Sequence, residues 1–240
     1  MSITFDGKSS EEYGLKMQNE LRFETIERDM EVVKVPGRDG VVLLDNDRNE
    51  TVSFPISFLM VRHPHFQTIE EQISACKIWL SANPAFSLFK WVGEPYHTYH
   101  ARINGRSSFR RRNSRLAYVD VPFEFMPIKF LDDGLEEGTV LNNAIFVVKG
   151  SIPAKPIIKL TGTGNVNLTI KGKVLALKNV TGGVIVDCDL ETVTNLSGTV
   201  SQMQNLYSYP FPNLVPGDNL ISWDNAGFTV TMIPRWGDPA

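Results

Sequence analysis

Cysteine is scarce in this chain of 240 residues: Cys76 and Cys188 are the only two. They stand far apart, one in a helical pattern and one in a strand pattern. Free buried thiols are expected there rather than a disulfide. With no CxxC pair and no Cys/His cluster, the spacing of a zinc site is missing. Histidine is also thin, with His63, His65, His97 and His100 the whole supply. No carboxylate or thiol is spaced to join either pair as a ligand. The GxSxG, HExxH and P-loop signatures are absent, so neither catalysis nor a cofactor is expected. No apolar run approaches the length of a bilayer span, which argues against membrane insertion. The opening MSITFDGKSSEEYG lacks the basic-then-apolar order of a signal peptide, so synthesis in the cytoplasm is expected. Charge of one sign is lacking too. The net charge of -3 and a pI near 5.8 speak against a dedicated DNA-binding protein.

What is present is a globular composition, 42% hydrophobic and 21% charged, with room for one large domain or two ordinary ones. The organising stretch is Val32 to Met60. Pro36-Gly37 and Asp39-Gly40 are turn dipeptides, and Asp45 to Asn49 is a second turn cluster. Val52, Phe54, Ile56, Phe58 and Met60 then alternate with smaller or polar residues, which sets one apolar row on one face of a strand. Pro55 has no N–H for a ladder, so this strand is expected to be an edge or bulged there. An uncovered apolar edge is an aggregation hazard unless another copy of the chain covers it.

The remaining elements follow in order. Ile3 to Phe5 is a short strand, Ser9 to Gly14 a turn, and Leu15, Met17 and 21–26 are extended. One helix is expected over about 68–83. Thr68 and Glu71 fit a capping box, Ile69, Ile73, Cys76 and Leu80 form a stripe, and Asn83-Pro84 stops it. Strands follow at Phe86 to Val92, Tyr96 to Ile103 and Leu116 to Phe125, where Pro122 again marks an edge or bulge. Asn104-Gly105 is a hairpin turn. The acidic, aperiodic stretch Asp132 to Asn143 reads as a boundary. Domains are therefore expected at 1–132 and 144–240, with 133–143 a linker. Beyond it, AIFVV, PIIKL, VNLTI, VLALKNV, GVIVDC, LISW and FTVTMI are evenly spaced short runs, the pattern of a β-sandwich or jelly roll.

Three constellations have chemical potential. Asp187, Asp189 and Glu191 alternate, as calcium ligands or an acid/base pair would, but the expected reading is the solvent face of a strand running into a turn. Arg106, Arg110, Arg111, Arg112 and Arg115 make one basic cluster. It suits either a solvated hairpin tip or contact with phosphates or an acidic partner. Tyr207, Tyr209, Phe211, Trp223 and Trp236 are aromatics that would stack on sugar rings if exposed and form core if buried. Tyr207, Tyr209 and Trp223 are the carbohydrate-contact candidates.

In their order, several motifs resemble one family over nearly the whole chain: the distal tail proteins of long-tailed (siphovirus-type) bacteriophages or prophages. Phe5-Asp6-Gly7 with Tyr13-Gly14-Leu15 is similar to the family's opening, and Val35-Pro36-Gly37-Arg38-Asp39-Gly40 resembles its most recognisable motif. Trp79-Leu80, Tyr96 to Ile103 and Val121-Pro122-Phe123-Glu124-Phe125 follow in the family's order. Asn143, Lys155 to Gly164, Val186 to Asp189 and Pro216 to Ile221 continue it.

The resemblance implies a mainly β chain. A first β-sandwich carries one helix and an extended hairpin, and a second sandwich is galectin-like. Six copies would form a hexameric ring, a baseplate hub at the virion tail tip assembled in the host cytoplasm. Its partners would be the tail tube protein, the tape measure protein and tail-associated or baseplate proteins. Genomic DNA would pass through the channel without specific binding. Pro36, Gly37, Arg38, Asp39, Gly40, Val52, Phe54, Ile56 and Phe58 are then the expected inter-subunit arm. The rival expectation is a glycan-binding adhesin module of the baseplate. A cell-wall hydrolase using Asp187, Asp189 or Glu191 ranks last, for want of a catalytic signature.

Overall fold

The computed structural model describes residues 1–18 and 26–240; nearly all of the extended stretch expected over 21–26 lies outside the described residues. The first unit holds residues 1–129 with 239–240, the second residues 130–238. In chain order the first has β1 (Ile3–Phe5), β2 (Lys8–Ser9), β3 (Leu15–Met17), β4 (Arg28–Val33), β5 (Val42–Asn49) and β6 (Val52–Val61). Helix α1 (Ile69–Ser81) follows, then β7 (Ser87–Trp91), β8 (His97–Ile103), β9 (Ser108–Arg111) and β10 (Leu116–Leu131). The main sheet runs β2-β1-β7-β8-β10-β6-β3, with β9 also against β10, while β4 and β5 form a two-stranded sheet of their own.

The alternation read in the sequence decides which side of β6 faces inward. Ile56, Phe58 and Met60 are buried, opposite Val121, Val119 and Ala117 of β10. Both strands keep an unbroken register from Val61 opposite Leu116 to Val52 opposite Phe125, so neither proline makes a bulge. The reason is that Pro55 faces Pro122. Two residues without N–H groups can face each other only as a non-hydrogen-bonded pair, so no ladder bond is lost between these strands. Pro122 still accepts from the Asn104 N–H at 2.9 Å on its other side. Beyond β6, β3 covers Phe58 to Met60, and among the described residues no strand flanks Pro55 on that side.

Helix α1 starts where Thr68 Oγ1 accepts the Glu71 N–H, and Glu71 reaches back to the Gln67 N–H, one residue before the position the capping box predicts. Its buried side carries Ile69, Gln72, Cys76, Trp79 and Leu80. Trp79 stacks on Tyr13 at 4.5 Å and donates from its indole to the Phe5 carbonyl. Phe5, Phe89, Phe123 and Phe125 fill the centre, in edge-to-face pairs with centroids 5.0–5.3 Å apart.

The second unit has β11 (Gly138–Val140), β12 (Ala144–Val148), β13 (Ile157–Thr161), β14 (Gly164–Ile170), β15 (Lys173–Val180), β16 (Val184–Asp187), β17 (Thr192–Asn195), β18 (Gly217–Trp223) and β19 (Thr229–Ile233). They form two antiparallel sheets, β11-β19-β13-β16-β17 and β12-β18-β14-β15. Ile158, Leu160, Val186 and Val230 of the first meet Val166, Leu168, Ile170 and Ile221 of the second in one core. This is the two-sheet β-sandwich expected of the second half.

The stretch 133–143, expected as a linker, is built into this unit. A 3-10 turn spans Asp132–Leu135, and β11 pairs with β19. Asp133 accepts from the Trp236 indole at 2.7 Å and pairs with Lys149. Its acidic texture reflects these local partners rather than a solvated connection.

Candidate functional site: an exposed hairpin arm

The β4–β5 hairpin is the least supported part of the described fold. Two strands alone are marginal in water, because they bury little and leave edges open. Ion pairs pin the far end of its ladder from the turn. Arg28 Nε meets Asp45 Oδ2 at 2.6 Å, Arg48 pairs with Asp29, and Asn46 also donates to Asp29. The Arg48 guanidinium, then the Asn46 amide, hold the Asp29 carboxyl below its ordinary value. At the turn Arg38 N donates to Val35 O at 3.2 Å, around Pro36 and Gly37. Gly37 has φ of 81°, so proline then glycine fits the second and third places of a type II turn.

Between these ends the hairpin is apolar on both faces. Val32 opposes Leu43, and Met30 opposes Asp45; Val33 opposes Val42, and Glu31 opposes Leu44. Opposed residues share a face. One face therefore shows Met30, Val32 and Leu43, and the other Val33, Val42 and Leu44. Met30, Val32, Leu43 and Leu44 are each 42–56% exposed. Val35 and Val41 extend the apolar surface towards the turn. Of these residues only Val35 belongs to the motif at 35–40, and none is among those expected in the inter-subunit arm. The signal was there, in the unalternated VVLL of 41–44, which suits a strand covered on both sides.

The arm candidates divide in the structure. Pro36, Gly37, Arg38, Asp39 and Gly40 form the exposed turn. Val52 and Phe54 are half-buried, Phe54 stacking on Phe125 at 4.8 Å. Ile56 and Phe58 point into the first core, so their side chains are not offered to a neighbour.

The carbohydrate candidates are not brought together. Trp223 opposes the fully buried Leu168, packs on the core and donates its indole N–H to Phe228 O. Tyr207 follows Leu206, which bridges to the buried Leu177, so it points to the outer face, where Lys178 Nζ lies 4.3 Å from its ring. Tyr209 is exposed and hydrogen-bonds Glu191.

The carboxylate row is structural. Asp187 accepts a fork from Arg235 and the N–H groups of Asp189 and Leu190. Burial opposes its ionisation, but the Arg235 fork and the Leu190 N–H outweigh it and leave the carboxyl below its ordinary value. Asp189 pairs with Lys155. Among the described residues no three His, Cys, Asp or Glu side chains are placed to hold a metal. Both cysteines are buried, and burial pushes each thiol up to about 12. In the basic cluster, Arg110 faces Asp120, Arg111 pairs with Glu70, and Arg112 donates to Tyr118. Among the described residues no helix is long and apolar enough to cross a membrane.

No family model and no curated protein matches the chain. Among solved structures, the chain is similar to the Dit protein (gp 19.1) of SPP1, described as a paradigm of the hub adsorption apparatus in phages infecting Gram-positive bacteria. The TM-score is 0.74 at 15% identity, over 96% of this chain and 97% of that one. Two structures of the phage P2 baseplate in its activated conformation, one with calcium and one with strontium, align over 86% of this chain. Both cover 87% of the other, at 8% and 10% identity and TM-scores of 0.44 and 0.47. The fold is thus that of a phage distal tail protein, across both units.

Proposed function

We propose that this chain is a structural distal tail protein: a hub of a phage tail that joins the tube to the baseplate and has no catalytic role. Six copies form a ring, with the arm of each reaching a neighbour, and DNA passes through the centre. Tail tube, tape measure and baseplate proteins bind the ring, and assembly takes place in the host cytoplasm. One observation carries the reading: an exposed, two-faced apolar hairpin, paired with no other described sheet, on a chain with the Dit fold from end to end. Such a hairpin gains stability when a neighbour covers it, and a head-to-tail contact that closes gives a ring.

The placement of Tyr207 and Trp223 on opposite faces of one sheet supports the hub over the adhesin. The test is the particle itself. The purified chain is expected to give rings in negative stain without added sugar, and deletion of 39–49 is expected to leave folded protein that forms no rings. Rings from the deletion variant, seen by light scattering, would overturn the role of the arm. A glycan-dependent binding lost in Tyr207→Ala would favour the adhesin.

A further inference from the structure

The sandwich of the second unit has four sheet borders, and three are guarded. β15 is closed by the chain itself: Leu206 bridges Leu177, Tyr207 N donates to Ala176 O, and Ser208 Oγ accepts the Ala176 N–H. β17 is closed in the same way, with Ser201 bridging Thr194 and Gln202 N donating to Val193 O at 2.7 Å. β11 is only Gly138–Val140, too short to template much. The fourth border is β12, Ala144-Ile145-Phe146-Val147-Val148. It has no charge, proline, glycine or bulge, and among the described residues no strand flanks its far side. Folded proteins ordinarily blunt such a border with one of those devices.

The hydrogen-bonding groups it leaves open can be assigned. Lys171 N donates to Leu220 O at 2.9 Å, so the main-chain groups of Leu220 point towards β14. Leu220 opposes Ile145, which makes this a non-hydrogen-bonded pair, and the N–H and C=O of Ile145 point away from β18. Val147, two residues on, repeats the arrangement. The same two side chains stand on the outer face, 62% and 56% exposed, with Leu220 beside Ile145 at 51%.

We propose that β12 pairs antiparallel with β12 of a second copy of this chain, about a two-fold axis through Phe146. The strand is its own complement in that register. Ile145 of each copy faces Val147 of the other, adding about four backbone hydrogen bonds. Ala144 faces Val148, and the half-buried Phe146 meets its own mate. Lys149, the charge nearest the strand, faces Asn143, so no like charges oppose. On the outer face Ile145, Val147 and Leu220 of both copies make one apolar strip, with Asp218 and Lys171 at its rims. A two-fold contact of this kind closes after two copies, and it uses no residue of the arm.

The test is the mass of the full-length protein by light scattering, beside Val147→Pro and Ile145→Lys. The first removes an outward N–H that bonds nothing within the sheet; the second puts a charge in the apolar strip. Both leave the core untouched, and circular dichroism and melting check this for each. Wild type is expected at twice the mass of either folded variant: paired rings against single rings, or paired chains against single chains. Equal masses for wild type and a folded variant overturn the proposal. If the hub reading fails, the six-fold mass is lost and the ratio stays; if this proposal fails, the ratio is lost and the ring stays.

Discussion

The two hairpin-rich regions of this protein solve the same problem in opposite ways. In the second unit almost every apolar side chain on an inner face meets another sheet, and two of the longer borders are closed by the chain's own loops. In the β4–β5 arm, apolar side chains stand on both faces, and among the described residues ion pairs secure the end away from the turn. The sandwich has its core closed within one chain. The arm, on the function proposed above, gains its cover from a neighbour. The contrast separates residues that determine whether the chain folds from residues that determine what it joins.

That separation can be tested by stability first and assembly second. The largest expected effect is Phe123→Ala, which opens the aromatic centre of the first unit and costs about 3–5 kcal/mol in urea or thermal melts. Leu168→Ala in the second core is expected to cost about 2–5 kcal/mol. If the two cores are independent, the two substitutions add in the double variant. Thr68→Ala removes the cap of α1 and is expected to cost about 1 kcal/mol.

Asp187→Asn tests the Arg235 fork through pH. The folded carboxyl lies below its ordinary value, so its contribution is fully present above about pH 4 and lost as pH falls through the folded value. The melting difference between wild type and variant is therefore expected to be widest near neutrality and to close in acid. A difference that persists below both values would show that the fork acts through shape rather than charge. The smallest effect on melting is expected from Val32→Ser with Leu43→Ser, within about 0.5 kcal/mol per exposed site, while ring formation is lost. If rings persist in that variant, the arm is not the joining element.

Much of this was legible in the sequence because period and punctuation are local. The Thr68 cap, the Asn83-Pro84 stop and the alternation of β6 and β10 gave elements close to those observed, and the seven short runs after residue 143 all became strands. What was not legible depends on partners distant in the chain. Pro55 and Pro122 looked like two separate interruptions, and only their opposition makes both harmless. Asp133 looked like part of a solvated linker until Trp236, 103 residues on, supplied a donor. Val52, Phe54, Ile56 and Phe58 of β6 are expected from sequence in the inter-subunit arm, because sequence alone cannot say which sheet an apolar row will meet; Ile56 and Phe58 meet the chain's own core. The two-faced arm beside it lacks alternation and so gave no periodic signal.

Gln72 shows how little is needed to hold the first unit's helix in place. Its fully buried amide donates to the carbonyls of Tyr13 and Val61 and accepts the His63 N–H, joining three chain segments at one side chain. Gly14 sits against the same group; a Cβ there would fall 2.1 Å from Val61 O and 2.7 Å from the Gln72 nitrogen. A carboxylate at position 72 would have no hydrogens to give, and a methyl at 14 would prise the segments apart. Tension applied along the N-terminal segment or along β6 is therefore shared with α1 through this amide, beside the Trp79 contacts with Phe5 and Tyr13, making that junction a mechanical rivet of the first unit.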